Sequence, residues 1–141
     1  MRTRFAPSLV AFVLLVCAGC DSGSSGPDTL AAVWQGTFTD NATEYTLELA
    51  LSSGRAAGLQ ATPIGGDGTL VIQPPDGDRE GLSITVEGTF NAPRLSLSVS
   101  YPQSRPGQLN GTVNDALDRI DAELVGGGPG FDGVSVVLER Q

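Results

Sequence analysis

Hydrophobic and polar residues alternate with a period of two along most of the chain after residue 30. In Tyr45–Leu51 the odd-numbered residues are large and apolar, and Leu95–Tyr101 and Ile120–Leu124 follow the same alternation. This pattern is typical of antiparallel strands with one buried and one exposed face. No stretch after residue 30 has a helical period, although Ala116-Leu117 fits one short turn. The pattern predicts an all-β domain over residues 30–141.

Turn-forming residues divide the pattern into eight or nine predicted strands. Pro74-Pro-Asp-Gly-Asp78, Gly126-Gly-Gly-Pro-Gly130 and Gly65-Gly-Asp-Gly68 are each predicted as turns between strands. Short strands at regular spacing are typical of a β-barrel or a β-sandwich. The predicted strands lie near residues 33–40, 44–52, 56–62, 69–73, 81–90, 94–101, 108–114, 119–125 and 132–139.

A short motif recurs in Gln35-Gly-Thr-Phe38, Glu87-Gly-Thr-Phe90 and Asn110-Gly-Thr-Val113. Each copy precedes a turn, which indicates a hairpin used three times. The central glycines, Gly36, Gly88 and Gly111, are predicted within strands, where glycine permits a bulge or a sharp bend. An up-and-down meander leaves two open edges unless it closes on itself. We therefore predict a single antiparallel meander closed into a small barrel, with a β-sandwich as the alternative.

The chain resembles the lipocalins and the avidin-like small barrels. Ala32-Val-Trp34 resembles the lipocalin Gly-x-Trp motif, with Ala in place of Gly, and Arg140 resembles the basic residue that packs on that tryptophan. The resemblance implies that Trp34 and Arg140 pack together and close one end of the barrel. It also implies an interior that either fills with side chains or holds one small apolar ligand.

The N-terminus has the order of an export signal. Met1-Arg-Thr-Arg4 is positively charged, Leu9–Val16 is uninterrupted apolar sequence, and small residues precede Cys20. The apolar stretch from Phe5 to Gly19 has 15 residues, whereas a membrane-spanning helix requires about 20. We therefore predict a cleaved signal peptide over residues 1–19 rather than a transmembrane anchor.

Ala18-Gly-Cys20 resembles the end of the lipobox of bacterial lipoproteins, and Cys17 occupies the position where Leu is usual. The resemblance implies that Cys20 receives a diacylglycerol on sulfur and a further acyl chain, such as palmitate, on its amine. Two or three chains give a stable membrane anchor where one does not. The alternative is an ordinary signal followed by an incidental cysteine. The expected location is the cell envelope, facing the periplasm or the exterior.

Residues 20–29 are predicted to be the lipidated cysteine followed by a flexible Gly/Ser-rich tether. Beyond residue 20 the chain has sixteen Asp and Glu residues, six arginines, no lysine and no histidine. Nucleic-acid binding requires clustered Lys and Arg, so we do not expect it. The sequence also lacks a His base and a nucleophilic Lys, and we expect neither an enzyme nor a cofactor.

The segment Asp76-Gly-Asp78-Arg-Glu80, together with Glu87, has the oxygen spacing of an EF-hand calcium loop. Its flanks are predicted to be strands rather than helices, so an acidic hairpin turn without a metal is the preferred interpretation. Two functional hypotheses follow from the sequence. One is a barrel that binds a small apolar ligand, and the other is a structural or assembly lipoprotein that acts through surface contacts with protein partners that the sequence does not identify.

Overall fold

The structure is a computed structural model that describes residues 29–54 and 61–141. Eight antiparallel strands follow one another in chain order and close into a barrel, because β8 pairs with β1. The all-β, up-and-down closed barrel is therefore confirmed, and the sandwich alternative is wrong. No helix in the described residues is long and apolar enough to cross a membrane. The strands are β1 (Ala32–Asp40), β2 (Thr43–Ser53), β3 (Thr62–Gln73), β4 (Glu80–Asn91), β5 (Arg94–Ser100), β6 (Gly107–Val113), β7 (Arg119–Gly126) and β8 (Phe131–Arg140).

The period-two alternation determines which side chains face the interior. In β5, Leu95, Leu97 and Val99 are buried, while Ser96 and Ser100 between and beyond them are exposed. The buried apolar residues of all eight strands form one cluster. Burying a side chain of this size contributes roughly 1.5–3 kcal/mol. The polar wall and the apolar interior therefore arise from the same alternation.

One predicted turn is wrong. Gly65–Gly68 lies in the middle of β3, a single strand of 12 residues where the sequence predicts two strands. An added Cβ at Gly66 would overlap the carbonyl oxygen of Ala50, and one at Gly68 would overlap that of Glu48. These glycines are needed because the backbone of β2 passes too close for any side chain.

The glycines of the recurring motif do not form bulges. The pairing of β1 with β2 continues through Gly36, and the pairing of β4 with β5 continues through Gly88, without a shift in register. An added Cβ would overlap the carbonyl oxygen of Val137 at Gly36 and that of Ser96 at Gly88. Close approach of a neighbouring strand is therefore the role of both glycines. A register shift occurs instead in β7, between Leu124 and Gly126.

The meander gives the barrel two different ends. We call the end that contains residues 29–31, the β2–β3 connection, the β4–β5 turn and the β6–β7 loop the N-terminal end. The opposite end, which contains the β1–β2, β3–β4, β5–β6 and β7–β8 connections, is called the distal end.

Closure of the barrel depends on a short seam. Strands β1 and β8 pair at two positions, Trp34 with Arg140 and Gln35 with Glu139, whereas every other pair of neighbouring strands pairs at six or more. A backbone hydrogen bond of 2.9 Å from Gln141 N–H to the Val33 carbonyl extends this seam. The seam therefore lies at the N-terminal end, beside the residues predicted to close the barrel.

Candidate functional site

Trp34 lies at the centre of the N-terminal end. Its side chain is fully buried, and its indole Nε1–H donates a hydrogen bond of 3.0 Å to the carbonyl oxygen of Leu30. A buried indole N–H usually requires such an acceptor. Leu30, two residues before β1, is itself 1% exposed and packs in the core cluster, so its side chain covers the barrel opening at this end.

Arg140 connects its own strand, β8, to residues 29–31 and to the β6–β7 loop. Its guanidinium donates to the carbonyl oxygens of Thr29 at 3.0 Å, Ala31 at 3.1 Å and Leu117 at 3.1 Å. The guanidinium carbon lies 5.7 Å from the centre of the Trp34 ring, within the range of a cation–π contact. The structure thus places the predicted pair, Trp34 and Arg140, in contact.

Together the two side chains bind three consecutive backbone carbonyls, those of residues 29, 30 and 31. The motif resemblance identified the two side chains but could not identify these acceptors, because the segment precedes the first strand and has no pattern of its own. The Arg140 hydrogen bonds join residues that are more than one hundred positions apart in the sequence. They fix the point at which the N-terminal part of the chain reaches the barrel.

The β6–β7 loop, residues 114–118, is held by Asn114. The Asn114 side-chain oxygen accepts hydrogen bonds from the backbone N–H groups of Asp118 at 3.1 Å and Arg119 at 3.2 Å. Leu117 adopts a positive φ of 54°, which is rare for a bulky residue. The predicted short turn at Ala116-Leu117 is present, as the Leu117 N–H donates to the Asn114 carbonyl at 3.1 Å. This loop presents the Leu117 carbonyl to Arg140.

A groove with mainly apolar lining lies beside this loop, between it and the β4–β5 turn. Phe90 and Leu117 are half-buried, Ala92 and Pro93 are exposed, and Val113 forms the floor. The polar part of the lining comes from the loop residues Asn114 and Asp115. The groove has a volume of about 470 Å³. The pattern of strand alternation gave no sign of it, because two connections far apart in sequence form its walls.

The barrel interior is filled by side chains. The exposure of Trp34, Leu49, Leu70, Leu97, Leu109, Ile120 and Leu138 is 0%. A side chain beside a cavity large enough for one water keeps some accessible surface, so these residues have no such cavity next to them. Sites for small molecules typically have volumes of about 300–1,000 Å³. The interior around these seven residues is therefore packed with side chains.

Packed aromatic rings occupy the distal end. Phe38 and Tyr45 stack with their centres 5.1 Å apart, and Phe131 meets both edge-on at 5.5 and 5.1 Å. Tyr101 packs against the β7–β8 loop at this end, where an added Cβ at Gly128 would lie 3.0 Å from its ring. Burial raises the pKa of Tyr101 to about 12.

The acidic residues of the predicted calcium loop are separated. Asp76 and Asp78 lie in the β3–β4 connection, and Glu80 begins β4, whereas Glu87 lies seven residues further along that strand. Seven residues of a strand span about 23 Å, so these oxygens cannot converge on one ion. No group of three His, Cys, Asp or Glu residues suited to a metal occurs within residues 29–54 and 61–141.

The outer wall of β5–β8 carries polar side chains with ordinary surface roles. Ser96 and Asn110 share a hydrogen bond of 2.8 Å, and Arg119 forms an ion pair of 2.7 Å with Asp121. The hydrogen bond from Arg119 lowers the pKa of Asp121. Exposed ion pairs contribute little to stability. The exposed Val33 and Val137 lie on adjacent strands, the first opposite Gln141 and the second opposite Asp121, and they form no continuous patch.

The predicted signal peptide, the lipidation residue Cys20 and residues 20–28 of the tether lie outside the described residues. Comparisons of this chain with protein-family models, with curated proteins and with solved structures find no match.

Proposed function

We propose that this chain is a lipoprotein of the bacterial cell envelope, anchored through acyl chains on Cys20. Its lipocalin-like barrel acts as a structural or assembly module through contacts of its outer surface with other envelope components. The packed interior is the observation that carries this proposal, because a filled barrel leaves its surface as the means of interaction. The ordered charged and apolar segments before Cys20 support the anchor.

The architecture supports the lipocalin-like part of the proposal. Trp34 and Arg140 occupy the positions that the resemblance implies and make the contact it implies. The zero exposure of Leu49, Leu97 and Leu109 supports a surface role, because these large aliphatic side chains take up interior space. We therefore place this chain among small barrels whose interior serves stability.

Lipid anchoring is tested by replacing the cysteine. Cys20→Ser should abolish labelling by a fatty-acid analogue and release the protein from the membrane fraction, because only a thiol accepts the diacylglycerol. Cys17→Leu is the matched control, since it restores the usual lipobox residue and should leave both properties unchanged. Labelling and membrane sedimentation of Cys20→Ser at the level of the unaltered protein would contradict the proposal.

The role of the interior is tested by native mass spectrometry of the folded part purified from its host. The expected spectrum contains the mass of the polypeptide alone. An additional apolar molecule that survives purification and is released on unfolding would contradict the surface-contact proposal and favour ligand binding. A second experiment is photo-cross-linking in cells. A cross-linking residue placed at Ser96 or Ser100 on the outer wall should capture partner proteins. The same residue at Ser104, in a loop of the distal end, serves for comparison of the wall with the loops.

A further inference from the structure

We propose that the N-terminal end of the barrel is a membrane-contacting face, and that the groove beside Leu117 rests on the interfacial region of the bilayer that holds the anchor. The groove contacts the bilayer at the boundary between the lipid headgroups and the acyl chains. This inference rests on the proposed acylation of Cys20. It adds an orientation, with the distal end directed away from the membrane.

The chain joins the barrel at a fixed point. Hydrogen bonds from Arg140 hold the carbonyls of Thr29 and Ala31, and Trp34 holds that of Leu30. A segment with three consecutive carbonyls bound in this way stays on the barrel. Whatever precedes Thr29 therefore departs from the N-terminal end, beside the β6–β7 loop.

The connection between Cys20 and the barrel is short. Eight residues lie between Cys20 and Thr29, and the nine peptide units that join these two residues span at most about 30 Å when fully extended. The longest strands have 12 residues, so at a usual barrel tilt the wall is roughly 30 Å high. For the distal end to contact the bilayer, the connection would have to extend fully along the whole wall. Contact through the N-terminal end requires no such extension.

The groove has a mainly apolar surface. Ala92 and Pro93 line it on one side and Leu117 on the other, with Phe90 and Val113 beneath. Asn114 and the exposed Asp115 supply the polar part of the lining, at the level of the lipid headgroups in the proposed orientation. Interfacial binding scales with buried apolar area, and a covalent anchor supplies most of the affinity, so a small surface suffices.

The two ends of the barrel differ in charge. In the described connections and the strand residues that flank them, the N-terminal end carries three arginines and two aspartates, Arg94, Arg119, Arg140, Asp115 and Asp118. The same regions of the distal end carry four carboxylates and two arginines, Asp40, Asp76, Asp78, Glu80, Arg79 and Arg105. An anionic bilayer surface repels the distal end and tolerates the N-terminal end.

The test uses the acylated full protein in vesicles of phosphatidylethanolamine and phosphatidylglycerol. An environment-sensitive fluorophore is attached to a single new cysteine, either at the N-terminal end (Ala116→Cys) or at the distal end (Ser104→Cys). On reconstitution, the label at position 116 should shift to shorter emission wavelength and lose quenching by aqueous iodide, and a lipid-attached nitroxide should quench it. The label at position 104 should show none of these changes.

A charge placed in the groove supplies the matched pair of variants. Ala92→Asp should leave the protein on the vesicles but restore iodide quenching of the label at position 116. Ala42→Asp, at the distal end, should change neither property, and the positive φ of 64° at that residue is one that Asp accepts. Protein that floats with the vesicles while both labels respond equally would overturn the orientation alone. Protein that fails to float would overturn the anchor and this inference with it.

Discussion

The two ends of the barrel are closed by different kinds of interaction. At the N-terminal end, two side chains donate hydrogen bonds to backbone carbonyls of two segments, residues 29–31 and the β6–β7 loop, and Leu30 is buried beside them. At the distal end, Phe38, Tyr45 and Phe131 fill the opening with ring-to-ring contacts. One end depends on directed bonds, and the other depends on apolar contact.

This difference has a consequence for what each end can do. Hydrogen bonds fix the positions of chain segments, and the N-terminal end is where the chain enters and where the β1–β8 seam is paired. Apolar packing fills the distal opening. The connections at that end lie outside the packed rings and carry charged side chains. This difference agrees with the proposed attachment at the N-terminal end.

The largest effects should come from removing one large aromatic residue at each end. Trp34→Ala and Phe131→Ala should each lower the free energy of unfolding by about 3–5 kcal/mol. Trp34→Phe should remain less stable than the unaltered protein, because it leaves the Leu30 carbonyl without its donor. Conversely, Phe131→Leu should recover most of the loss, since contact at the distal end is apolar. Urea unfolding of a form beginning at residue 21 measures all four, and equal recovery by both conservative variants would contradict the comparison.

The next prediction concerns the β7–β8 loop at the distal end. Gly127 and Gly130 share a φ of +81°, but an added Cβ overlaps the Tyr101 ring at Gly127 and meets nothing within 4 Å at Gly130. Gly130→Ala should cost about 1–2 kcal/mol from backbone strain alone. Gly127→Ala should cost about 1–3 kcal/mol more, because the ring must move. Thermal unfolding of the two variants would refute this packing if their midpoints agreed.

The alternation of polar and apolar residues was sufficient to predict the class, the strand order and most of the interior. It failed where glycine has a role that composition does not reveal. Gly65–Gly68 has the composition of a turn, yet Gly66 and Gly68 serve close approach to the carbonyls of Ala50 and Glu48. Only the register of β2 against β3 distinguishes the two roles, and register is a property of the assembled sheet.

In the candidate site, too, the sequence predicted some features and only the structure revealed the others. The motif resemblance identified Trp34 and Arg140, because large aromatic and basic residues at the ends of strands are visible in the sequence. The carbonyls they bind, at residues 29–31 and 117, belong to segments without periodicity. The groove beside Leu117 also depends on the conformation of a loop. Contacts between irregular segments therefore require the structure.

A smaller effect is expected at the guanidinium. Arg140→Ala removes three hydrogen bonds and one ring contact, and we expect a loss of about 2 kcal/mol for this half-buried group. Arg119→Ala, on the neighbouring strand and ion-paired with exposed Asp121, should cause no measurable change. In a double-mutant cycle, Trp34→Ala and Arg140→Ala should be coupled by about 0.5–2 kcal/mol. Additive effects in urea unfolding would mean that the two side chains stabilise the N-terminal end independently.

The smallest predicted effect is the response of the distal end to alkaline pH. Burial raises the pKa of Tyr101 to about 12 in the folded protein, whereas an unfolded tyrosine has a pKa of about 10. Its stabilising contribution is complete below pH 10, because both states are protonated there. Between pH 10 and 12 the unfolded state loses its proton first, so the free energy of unfolding falls. Two pKa units correspond to about 2.7 kcal/mol, which solvent screening at the rim should reduce to about 1–2 kcal/mol.

The Tyr101→Phe variant lacks this proton, and its stability should fall less over the same interval. Parallel stability curves for the two proteins would show that the Tyr101 hydroxyl titrates normally, and the distal end would then be more open to water than its packing against the glycine loop indicates.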